Sequence, residues 1–326
     1  MPSSLGAYVS QIAFSVRNLE HAVRFYRDTF RLRDSGGTTA FRGPGAAYVQ
    51  GVEGIASRTH WLQDDRSTLQ LEFLQFEYPP LVPIPDSRRV CDIGMSRIAF
   101  TVPDLDACLA RAAALGARAV GSIMTVAGGR RAVITDPDGV WIEITEDRRS
   151  GQSRVAGVAL SVRSLSRALE TYTTGMGLTA GDHADDGLDA QLGLAGAERA
   201  AVRIDGGPVW IELSEYRSPA PQPWREGHQL TDIGLSHVAV TAPSAEQAEG
   251  LFQRLYDGGW VRPNQPKPLR LGKLVSLMYG RDAEGFTLEM MHVAPVAHGI
   301  LGFRPPRAAD RWLLATLNAG AALLYG

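Results

Sequence analysis

The chain has few cysteines, no excess of either charge and no long apolar run. Cys91 and Cys108 form neither a CxxC motif nor a zinc spacing, so we expect buried free thiols in a reducing cytoplasm. With 33 basic and 35 acidic residues, no net field attracts nucleic acid or an acidic membrane. The most apolar run, residues 312–325, is too short to span a bilayer, and no signal-peptide pattern opens the chain. We therefore expect a cytoplasmic globular protein that binds neither nucleic acid nor membrane.

One strand-like stretch occurs four times in the sequence, and only one of the copies contains a histidine. Residues 231–242, TDIGLSHVAVTA, closely match residues 91–102, CDIGMSRIAFTV, which lie 140 positions earlier. Weaker copies stand at residues 10–16 and 156–162. The alternation of side chains with a period of two is typical of a β-strand. Where the fourth copy has His237, the first, second and third copies have Gln11, Arg97 and Gly157.

Each copy opens a unit with the same order of elements. A polar cap and a helical pattern follow the opening strand, and short strands separated by Gly and Asp turns come next. A closing strand ends each unit and carries a glutamate at its middle; these glutamates are Glu72, Glu143, Glu212 and Glu289. The two halves of the chain are offset by 140 or 146 residues at the matched positions, which is a strong repeat signal. The sequence therefore predicts an α+β fold of four βαβββ modules.

The repeat divides the 326 residues into two halves and a tail. The predicted segments are residues 1–150 with modules 8–77 and 94–147, residues 151–293 with modules 154–216 and 234–293, and a tail at 294–326. We expect the apolar tail helix to dock on the body of the protein or on a partner subunit. A homodimer through this helix is one of these alternatives.

The four βαβββ units, the HVAV-type opening strands and the DPDG turn before a WIE strand resemble the vicinal oxygen chelate superfamily. Its members include glyoxalase I, extradiol ring-cleaving dioxygenases, methylmalonyl-CoA epimerase and bleomycin-binding proteins. The resemblance covers about residues 8–293. It implies modules that pair into two incomplete mixed-sheet barrels, with side chains from the opening and closing strands directed into a cavity. It does not define the reaction, because this fold hosts several chemistries.

The pairing of the modules decides the set of residues that meet in each cavity. If the outer modules pair, the set is Gln11, Glu72, His237 and Glu289, which matches the ligands of one glyoxalase I class in kind and order. If neighbouring modules pair, the set around His237 contains Gly157, Glu212 and Glu289, and Glu212 becomes the alternative ligand. The long Pro-rich links at residues 78–86 and 218–224 can cross between barrels, and this favours the outer pairing.

An imidazole with carboxylates suits one divalent Zn, Ni, Mn or Fe ion. The resemblance then implies a metal-dependent lyase or isomerase of the glyoxalase I/epimerase kind, acting on a small-molecule carbonyl substrate. In it, Glu72 or Glu289 removes a proton beside the carbonyl while the metal stabilises the enolate. The Arg97 cation cannot donate a lone pair, so we expect the cavity of Arg97 and Glu143 to hold no metal.

Two tryptophans indicate the kind of ligand that the cavity binds, and two alternative functions stand beside the lyase or isomerase. Trp141 and Trp210, each two residues before a closing glutamate, suggest an apolar or aromatic ligand in the cavity. Glutathione does not fit, because the arginines of glyoxalase I-like proteins are replaced by Ser15 and Ile233. An extradiol dioxygenase is a second alternative, although it needs two histidines, and a metal-free binding protein of the bleomycin-resistance type is a third.

Overall fold

The computed structural model describes residues 6–182 and 187–325, which form two mixed sheets with helices packed between them. The first module comprises β1 (Tyr8–Ser15), α1 (Leu19–Phe30), β2 (Arg33–Thr38), α2 (Gly43–Gln50), β3 (Ala56–Gln63) and β4 (Gln70–Tyr78). The second module comprises β5 (Gly94–Val102), α3 (Leu105–Ala114), β6 (Arg118–Val126), β7 (Gly129–Thr135) and β8 (Trp141–Glu146).

The third and fourth modules repeat this order, and a tail follows them. The third comprises β9 (Arg154–Ser161), α4 (Leu165–Glu170), a π-helical turn (Thr171–Gly175), β10 (Thr179–Gly181), α5 (Leu188–Gln191), β11 (Glu198–Asp205) and β12 (Trp210–Ser218). The fourth comprises β13 (Gly234–Thr241), α6 (Ala245–Asp257), β14 (Val261–Pro263), β15 (Leu269–Leu271), β16 (Val275–Asp282) and β17 (Thr287–Val293). The tail contains a 3₁₀ turn (Pro295–Ala297) and α7 (Ala308–Tyr325). The predicted βαβββ order is confirmed, with α2, α5 and β15 as additions.

Each module helix begins at a polar residue whose side chain accepts a hydrogen bond from the backbone three residues later. The four N-cap residues are Asn18, Asp104, Ser164 and Ser244. This bond satisfies one of the free N–H groups at a helix N-terminus and fixes where the helix starts. The same local chemistry therefore sets the same strand-to-helix turn in all four modules.

The outer modules share one sheet and the middle modules share the other. The outer-module sheet has the order β14-β16-β17-β13-β1-β4-β3-β2, with β15 paired to β16. The middle-module sheet has the order β10-β11-β12-β9-β5-β8-β7-β6. Neither sheet closes into a barrel, as the predicted incomplete barrels require. The outer pairing favoured by the link lengths is confirmed, and each half of the chain contributes one module to each sheet.

The links that connect the two sheets cross each other symmetrically. The Ile93 backbone N–H donates to the Gln222 carbonyl, and the Ile233 N–H donates to the Val82 carbonyl, both at 2.9 Å. Each link therefore provides a hydrogen-bond acceptor for the end of the other. This arrangement carries the chain from the outer-module sheet to the middle-module sheet and back again.

The register of the strands brings equivalent residues together in both sheets. In the outer-module sheet, Ala13 of β1 lies opposite both His237 of β13 and Glu72 of β4. In the middle-module sheet, Ala99 of β5 lies opposite both Gly157 of β9 and Glu143 of β8. A small residue at the centre of each sheet thus has the candidate functional positions on both sides.

The two faces of each sheet have different surroundings. Alternate residues such as Ile12, Phe14 and Val238 enter one continuous apolar core together with the module helices. Within it, the Phe30 and Phe100 rings stack at 3.8 Å and join the first module to the second. The opposite face therefore carries the polar residues, as a period of two requires.

Cys91 and Cys108 are buried and free, as predicted. None of the helices in residues 6–182 and 187–325 combines the length and the apolar character needed to cross a membrane.

Candidate metal centre and its cavity

Four side chains that lie far apart in the sequence meet on the cavity face of the outer-module sheet. Gln11 Nε2 lies 2.8 Å from Glu72 Oε2, 3.1 Å from His237 Nε2 and 3.2 Å from Glu289 Oε2. His237 Nε2 lies 3.5 Å from Glu72 Oε2 and 3.3 Å from Glu289 Oε2. All four side chains are buried. The set predicted for the outer pairing therefore converges on one point.

The spacing of these atoms can be compared with that of metal ligands. Atoms bound to one ion at about 2.0–2.2 Å lie about 3.0 Å apart in an octahedral site and about 3.4 Å apart in a tetrahedral one. The five distances above, from 2.8 to 3.5 Å, cover the same range. An imidazole nitrogen and two carboxylate oxygens are also ligands that Zn, Ni, Mn and Fe accept. The residues present therefore fit a divalent ion in spacing and in chemistry.

The fit depends on Gln11. Among the described residues, no group of three or more histidine, cysteine, aspartate or glutamate side chains is arranged so that it could hold a metal ion. Gln11 is therefore needed, since its amide closes the set formed by His237, Glu72 and Glu289. In this structure Gln11 presents its nitrogen, a donor, to the cluster; a cation would require the amide oxygen instead.

Three further side chains fix the cluster. Trp61 Nε1 donates to Glu72 Oε1 at 3.0 Å, and the side-chain amides of Gln70 and Gln11 are hydrogen-bonded to each other at 2.6 Å. The Tyr279 hydroxyl lies 3.4 Å from His237 Nε2. On neighbouring strands, Trp61 is directly opposite Glu72 and Tyr279 directly opposite Glu289. The strand register therefore places one aromatic residue opposite each of the two carboxylates.

Burial raises the pKa values of Glu72 and Tyr279. Desolvation raises the pKa of Glu72 to about 7; the nearby His237 lowers it, and the like charge of Glu289 raises it further. Desolvation also raises the pKa of Tyr279 well above its usual value, and the charges of Glu289 and Glu72 add to this. Tyr279 therefore remains a neutral phenol at neutral pH.

A cavity of about 490 Å³ opens above the cluster. Its base contains Gln11, Glu72, Glu289, Trp61 and Tyr279, while His237 lies behind them and does not line it. Its walls are mostly apolar and include Phe41, Val49, Leu277, Met291, Leu301, Phe303, Leu314 and Leu317. This volume is typical of a small-molecule site. The lining residues include one cation, Arg42, and it is paired with Glu77 at 3.1 Å.

The middle-module sheet holds an ionic cluster at the equivalent positions. Arg97 Nε donates to Glu143 Oε2 at 2.9 Å, and Arg97 Nη2 donates to Glu212 Oε1 at 2.8 Å. Arg199 and Arg203 also contact the Glu212 carboxylate, at 2.9 and 3.2 Å. Glu212, the alternative ligand of the neighbouring pairing, therefore lies with Arg97 rather than with His237.

The residues expected around Arg97 do not line the cavity of the outer-module sheet. Arg97, Glu143, Trp141 and Trp210 are absent from its wall, which contains Trp61 instead. The Arg203 guanidinium lies 4.4 Å from the centre of the Trp210 ring. A Cβ atom added at Gly157 would lie 2.2 Å from the Trp210 indole. The indole thus occupies the space that a longer side chain at position 157 would need.

Some residues of the candidate metal centre are not predicted from the sequence. Gln70 stands two residues before Glu72, as Trp141 and Trp210 stand before their glutamates, so the period of two could have identified it. Trp61 and Tyr279 lie on strands without a repeated motif. His292 lies outside the cluster, is half-buried, and has its Nδ1 3.2 Å from the Ala242 carbonyl.

The tail supplies part of the cavity wall. Ala297, Ile300, Leu301 and Phe303 contribute from the segment before α7. Leu313, Leu314 and Leu317 contribute from α7 itself. The predicted docking of the tail helix on the body of the protein is therefore observed, and it takes place at the candidate site.

Comparisons with known proteins agree with this architecture. Glyoxalase I from Zea mays superimposes with a TM-score of 0.61 at 15% identity, covering 96% of this chain and 96% of that chain. A protein from Bacillus subtilis named as a candidate dioxygenase gives a TM-score of 0.61 at 16% identity, covering 95% and 96%. At these identities the similarity concerns the fold. A comparison with curated protein sequences finds no match.

The sequence profile of the Glyoxalase/Bleomycin resistance protein/Dioxygenase superfamily matches residues 8–144 and again residues 154–290. These two matches cover most of the chain and contain all four candidate ligands. The description of the family names glyoxalases, bleomycin resistance proteins and dioxygenases. The chain therefore belongs to the Glyoxalase/Bleomycin resistance protein/Dioxygenase superfamily.

Proposed function

We propose that the protein is a metal-dependent lyase or isomerase of the glyoxalase I/epimerase kind. One observation carries this proposal: His237, Glu72, Glu289 and Gln11 converge with the spacing of metal ligands at the base of an otherwise apolar cavity. Zn, Ni, Mn and Fe are all consistent with this ligand set. A bound divalent ion would polarise a carbonyl oxygen and stabilise the enolate formed next to it.

The remaining steps belong to side chains of the chain itself. Glu72 and Glu289 both line the cavity, and either carboxylate can remove a proton from the carbon beside a carbonyl. The other carboxylate, or the same one, would return the proton to the neighbouring carbon. Trp61 holds Glu72 through Oε1, so Oε2 of Glu72 is the oxygen directed to the cluster and to the cavity. His237 is fully buried and has no access to the substrate, so it serves as a ligand rather than as a base.

The cavity supports an apolar or aromatic carbonyl compound as the substrate. Its walls are formed by Leu, Val, Met and Phe side chains, and its single cation already has a partner in Glu77. A substrate with several negative charges would lose its hydration without gaining a counter-charge. This supports an uncharged aryl or alkyl substrate over a glutathione conjugate.

Metal analysis of the purified protein tests the proposal. We expect about one divalent ion per chain, lost in His237→Ala and retained in the matched control His292→Ala, which lies outside the cluster. An aryl ketone incubated with the protein in D₂O should exchange the proton beside its carbonyl, as followed by NMR. A wild-type protein that binds no metal would contradict the lyase and favour a binding protein. Oxygen uptake with catechols would favour a dioxygenase.

We also propose that a second copy of the chain covers the exposed end of α7. Trp312, Leu323 and Leu324 are 72%, 87% and 73% exposed, an arrangement that favours an intersubunit contact. Light scattering should give a dimer for the wild type and a monomer for the double variant Leu323→Glu/Leu324→Glu. A monomeric wild type would contradict this proposal.

A further inference from the structure

The two additional helices, α2 and α5, each end at a buried glutamine. α2 lies between β2 and β3 of the first module, and α5 lies between β10 and β11 of the third. The last residue of α2 is Gln50, and the last residue of α5 is Gln191, which stands 141 positions later. Their exposed fractions are 7% and 5%. Since the halves of the chain are offset by 140 or 146 residues, the two glutamines occupy equivalent places beside the two sheets.

In the middle-module sheet, the chain itself provides partners for both ends of the Gln191 amide. Arg131 Nε donates to Gln191 Oε1 at 2.8 Å. Gln191 Nε2 donates to the backbone carbonyls of Ser122 and Arg131, at 2.8 and 3.2 Å. A guanidinium only donates and a carbonyl only accepts, so these partners fix the orientation of the amide. The fully buried Arg131 side chain therefore belongs to the surroundings of Gln191.

In the outer-module sheet, a leucine replaces this arginine. Val133 and Tyr279 lie directly opposite the closing glutamates of the second and fourth modules. Arg131 and Leu277 come two residues before them and therefore occupy equivalent places. Leu277 has no side-chain donor, and it lines the cavity. An apolar side chain at the cavity wall thus takes the place of the arginine.

The Gln50 amide consequently lacks the partner that Gln191 has. Gln50 lines the cavity, and its Oε1 has no hydrogen-bond partner within residues 6–182 and 187–325. The end of α2 is nevertheless fixed, because Asn264 Nδ2 donates to the Gln50 carbonyl at 3.0 Å. The Asn264 backbone N–H donates to the Tyr279 carbonyl at 2.9 Å, which ties Gln50 to the strand of Tyr279. A buried polar atom without a partner is unfavourable, so a ligand that provides one gains binding energy there.

We propose that Gln50 is a specificity-determining residue that hydrogen-bonds a hydroxyl group of the substrate. This inference rests on the proposed function and deepens it, because it names the substrate class: carbonyl compounds that carry a hydroxyl group on an apolar or aryl frame. The hydroxyl group takes the role that Arg131 has beside Gln191. A hydroxyl group donates to an amide oxygen and accepts from an amide N–H, so it bonds to Gln50 in either orientation of the amide.

The surroundings of Gln50 favour a neutral group over a charged one. Val49 of α2 and Leu277 of β16 line the same cavity as Gln50. The cation of the lining, Arg42, already has Glu77 as its partner at 3.1 Å. A charged group would lose its hydration beside these apolar side chains, and one amide does not compensate for that loss. A hydroxyl group loses less hydration, and one amide supplies the bond that it needs.

Binding of matched aryl ketones to the full-length protein in Mn²⁺ tests the proposal. The probes are meta- and para-hydroxyacetophenone, in slightly acidic buffer where the phenol is neutral. Each is compared with the methyl analogue of similar shape, meta- or para-methylacetophenone. We expect the hydroxyl compound of at least one pair to bind the wild type about tenfold more tightly, as measured by calorimetry. Without a bond to Gln50, the apolar walls favour the methyl compound. Equal or weaker binding of both hydroxyl compounds would therefore show that the inference is wrong.

Three variants test whether the preference belongs to Gln50. Gln50→Leu should remove the preference for the hydroxyl compound, and Gln50→Glu, which keeps a side-chain oxygen, should retain it. Gln191→Leu is the matched control at the equivalent place of the other sheet and should leave the ratio of the Kd values unchanged. A preference that survives in Gln50→Leu, or that disappears equally in Gln191→Leu, would contradict the role of Gln50. The wild-type comparison and Gln50→Glu decide the question if Gln50→Leu does not fold.

The outcomes distinguish this inference from the proposed function. If a divalent ion binds and a ketone exchanges its proton in D₂O, but neither pair shows the preference, the hydroxyl subsite is wrong and the lyase or isomerase stands. If the preference depends on Gln50 but no divalent ion binds, the subsite stands as that of a binding protein and the proposed function is wrong.

Discussion

The centres of the outer-module and middle-module sheets share a backbone plan and differ in their side chains. In one sheet, the opening strands provide His237 and Gln11, and among the described residues the imidazole is the one basic group that pairs with the two carboxylates. In the other, the same positions are Arg97 and Gly157, and Arg97 bridges both carboxylates. Strand register therefore brings the carboxylates together in each sheet. The residue between them differs, since it is an imidazole in one sheet and a guanidinium in the other.

Ion pairs within the chain occupy the centre of the middle-module sheet. The Arg97 guanidinium forms a planar fork to Glu143 and Glu212, and the charges of these glutamates outweigh its burial and raise its pKa above the usual range. The Trp210 indole covers Gly157 and leaves no room for a longer side chain. The repeat thus contains one centre for which a metal ion is proposed and one whose centre is occupied by an arginine.

The largest change in stability should come from removing Arg97, the buried cation at the centre of the middle-module sheet. Arg97→Met leaves Glu143 and Glu212 buried, and it should lower the free energy of unfolding by about 3 kcal/mol, since Arg199 and Arg203 still contact Glu212. Urea denaturation measures the change. Arg24→Met, at an arginine whose side chain is 67% exposed, is the control and should change stability by less than about 0.5 kcal/mol. Equal effects would show that the buried cation has no special role.

Removing the proposed metal ion from the outer-module sheet should cause the next largest change in stability. At a free metal concentration of about 100 times Kd, binding should stabilise the wild type by about 2.7 kcal/mol. Chelator should abolish this increment, as measured by thermal unfolding with and without Mn²⁺. His237→Ala should show no increment, whereas Arg97→Met should retain it. Loss of the increment in Arg97→Met would mean that the two centres are not independent.

A smaller effect is expected at the residue that holds Glu72. Trp61→Phe removes the donor to Glu72 Oε1 and leaves a buried carboxylate oxygen without its partner. We expect a loss of about 1–2 kcal/mol in stability and a metal Kd that is about tenfold weaker. Calorimetric titration with Mn²⁺ measures the second quantity. An unchanged Kd would show that Glu72 needs no support from Trp61.

The smallest effect is expected for the corresponding change in the other sheet. Trp210→Phe weakens a contact with the half-exposed Arg203 and should cost less than about 1 kcal/mol. Its metal Kd should equal that of the wild type. A change in Kd as large as that of Trp61→Phe would contradict the assignment of the metal site to the outer-module sheet.

The sequence predicts the modules and the convergent residues because both follow from one repeated pattern. The period of two places Gln11, Glu72, His237 and Glu289 on one face of their strands, and the lengths of the links favour the pairing that unites them. Trp61 and Tyr279 were not predicted, since they lie on strands that carry no repeated signal. Their position depends on the register of hairpins that the sequence does not define.

The cavity could not be predicted for a different reason. Part of its apolar wall comes from the tail, which lies outside the repeat and has no counterpart in the other modules. The apolar pattern of α7 predicts that the helix docks on some surface, but such a pattern contains no information about which one. The aromatic residue of the centre was likewise expected at Trp141 and Trp210, whereas the cavity contains Trp61 from a neighbouring strand.

The crossed pairing of modules has a consequence for the order of events during synthesis. The middle-module sheet uses a continuous part of the chain, β5 to β12, and can assemble as soon as these strands have left the ribosome. Gln11 is made before every residue of the middle-module sheet, yet its partner His237 is 226 positions later. The outer-module sheet therefore depends on contacts of very long sequence separation, which form slowly. A chain interrupted before β13 can contain the finished arginine centre but not the centre proposed to bind the metal.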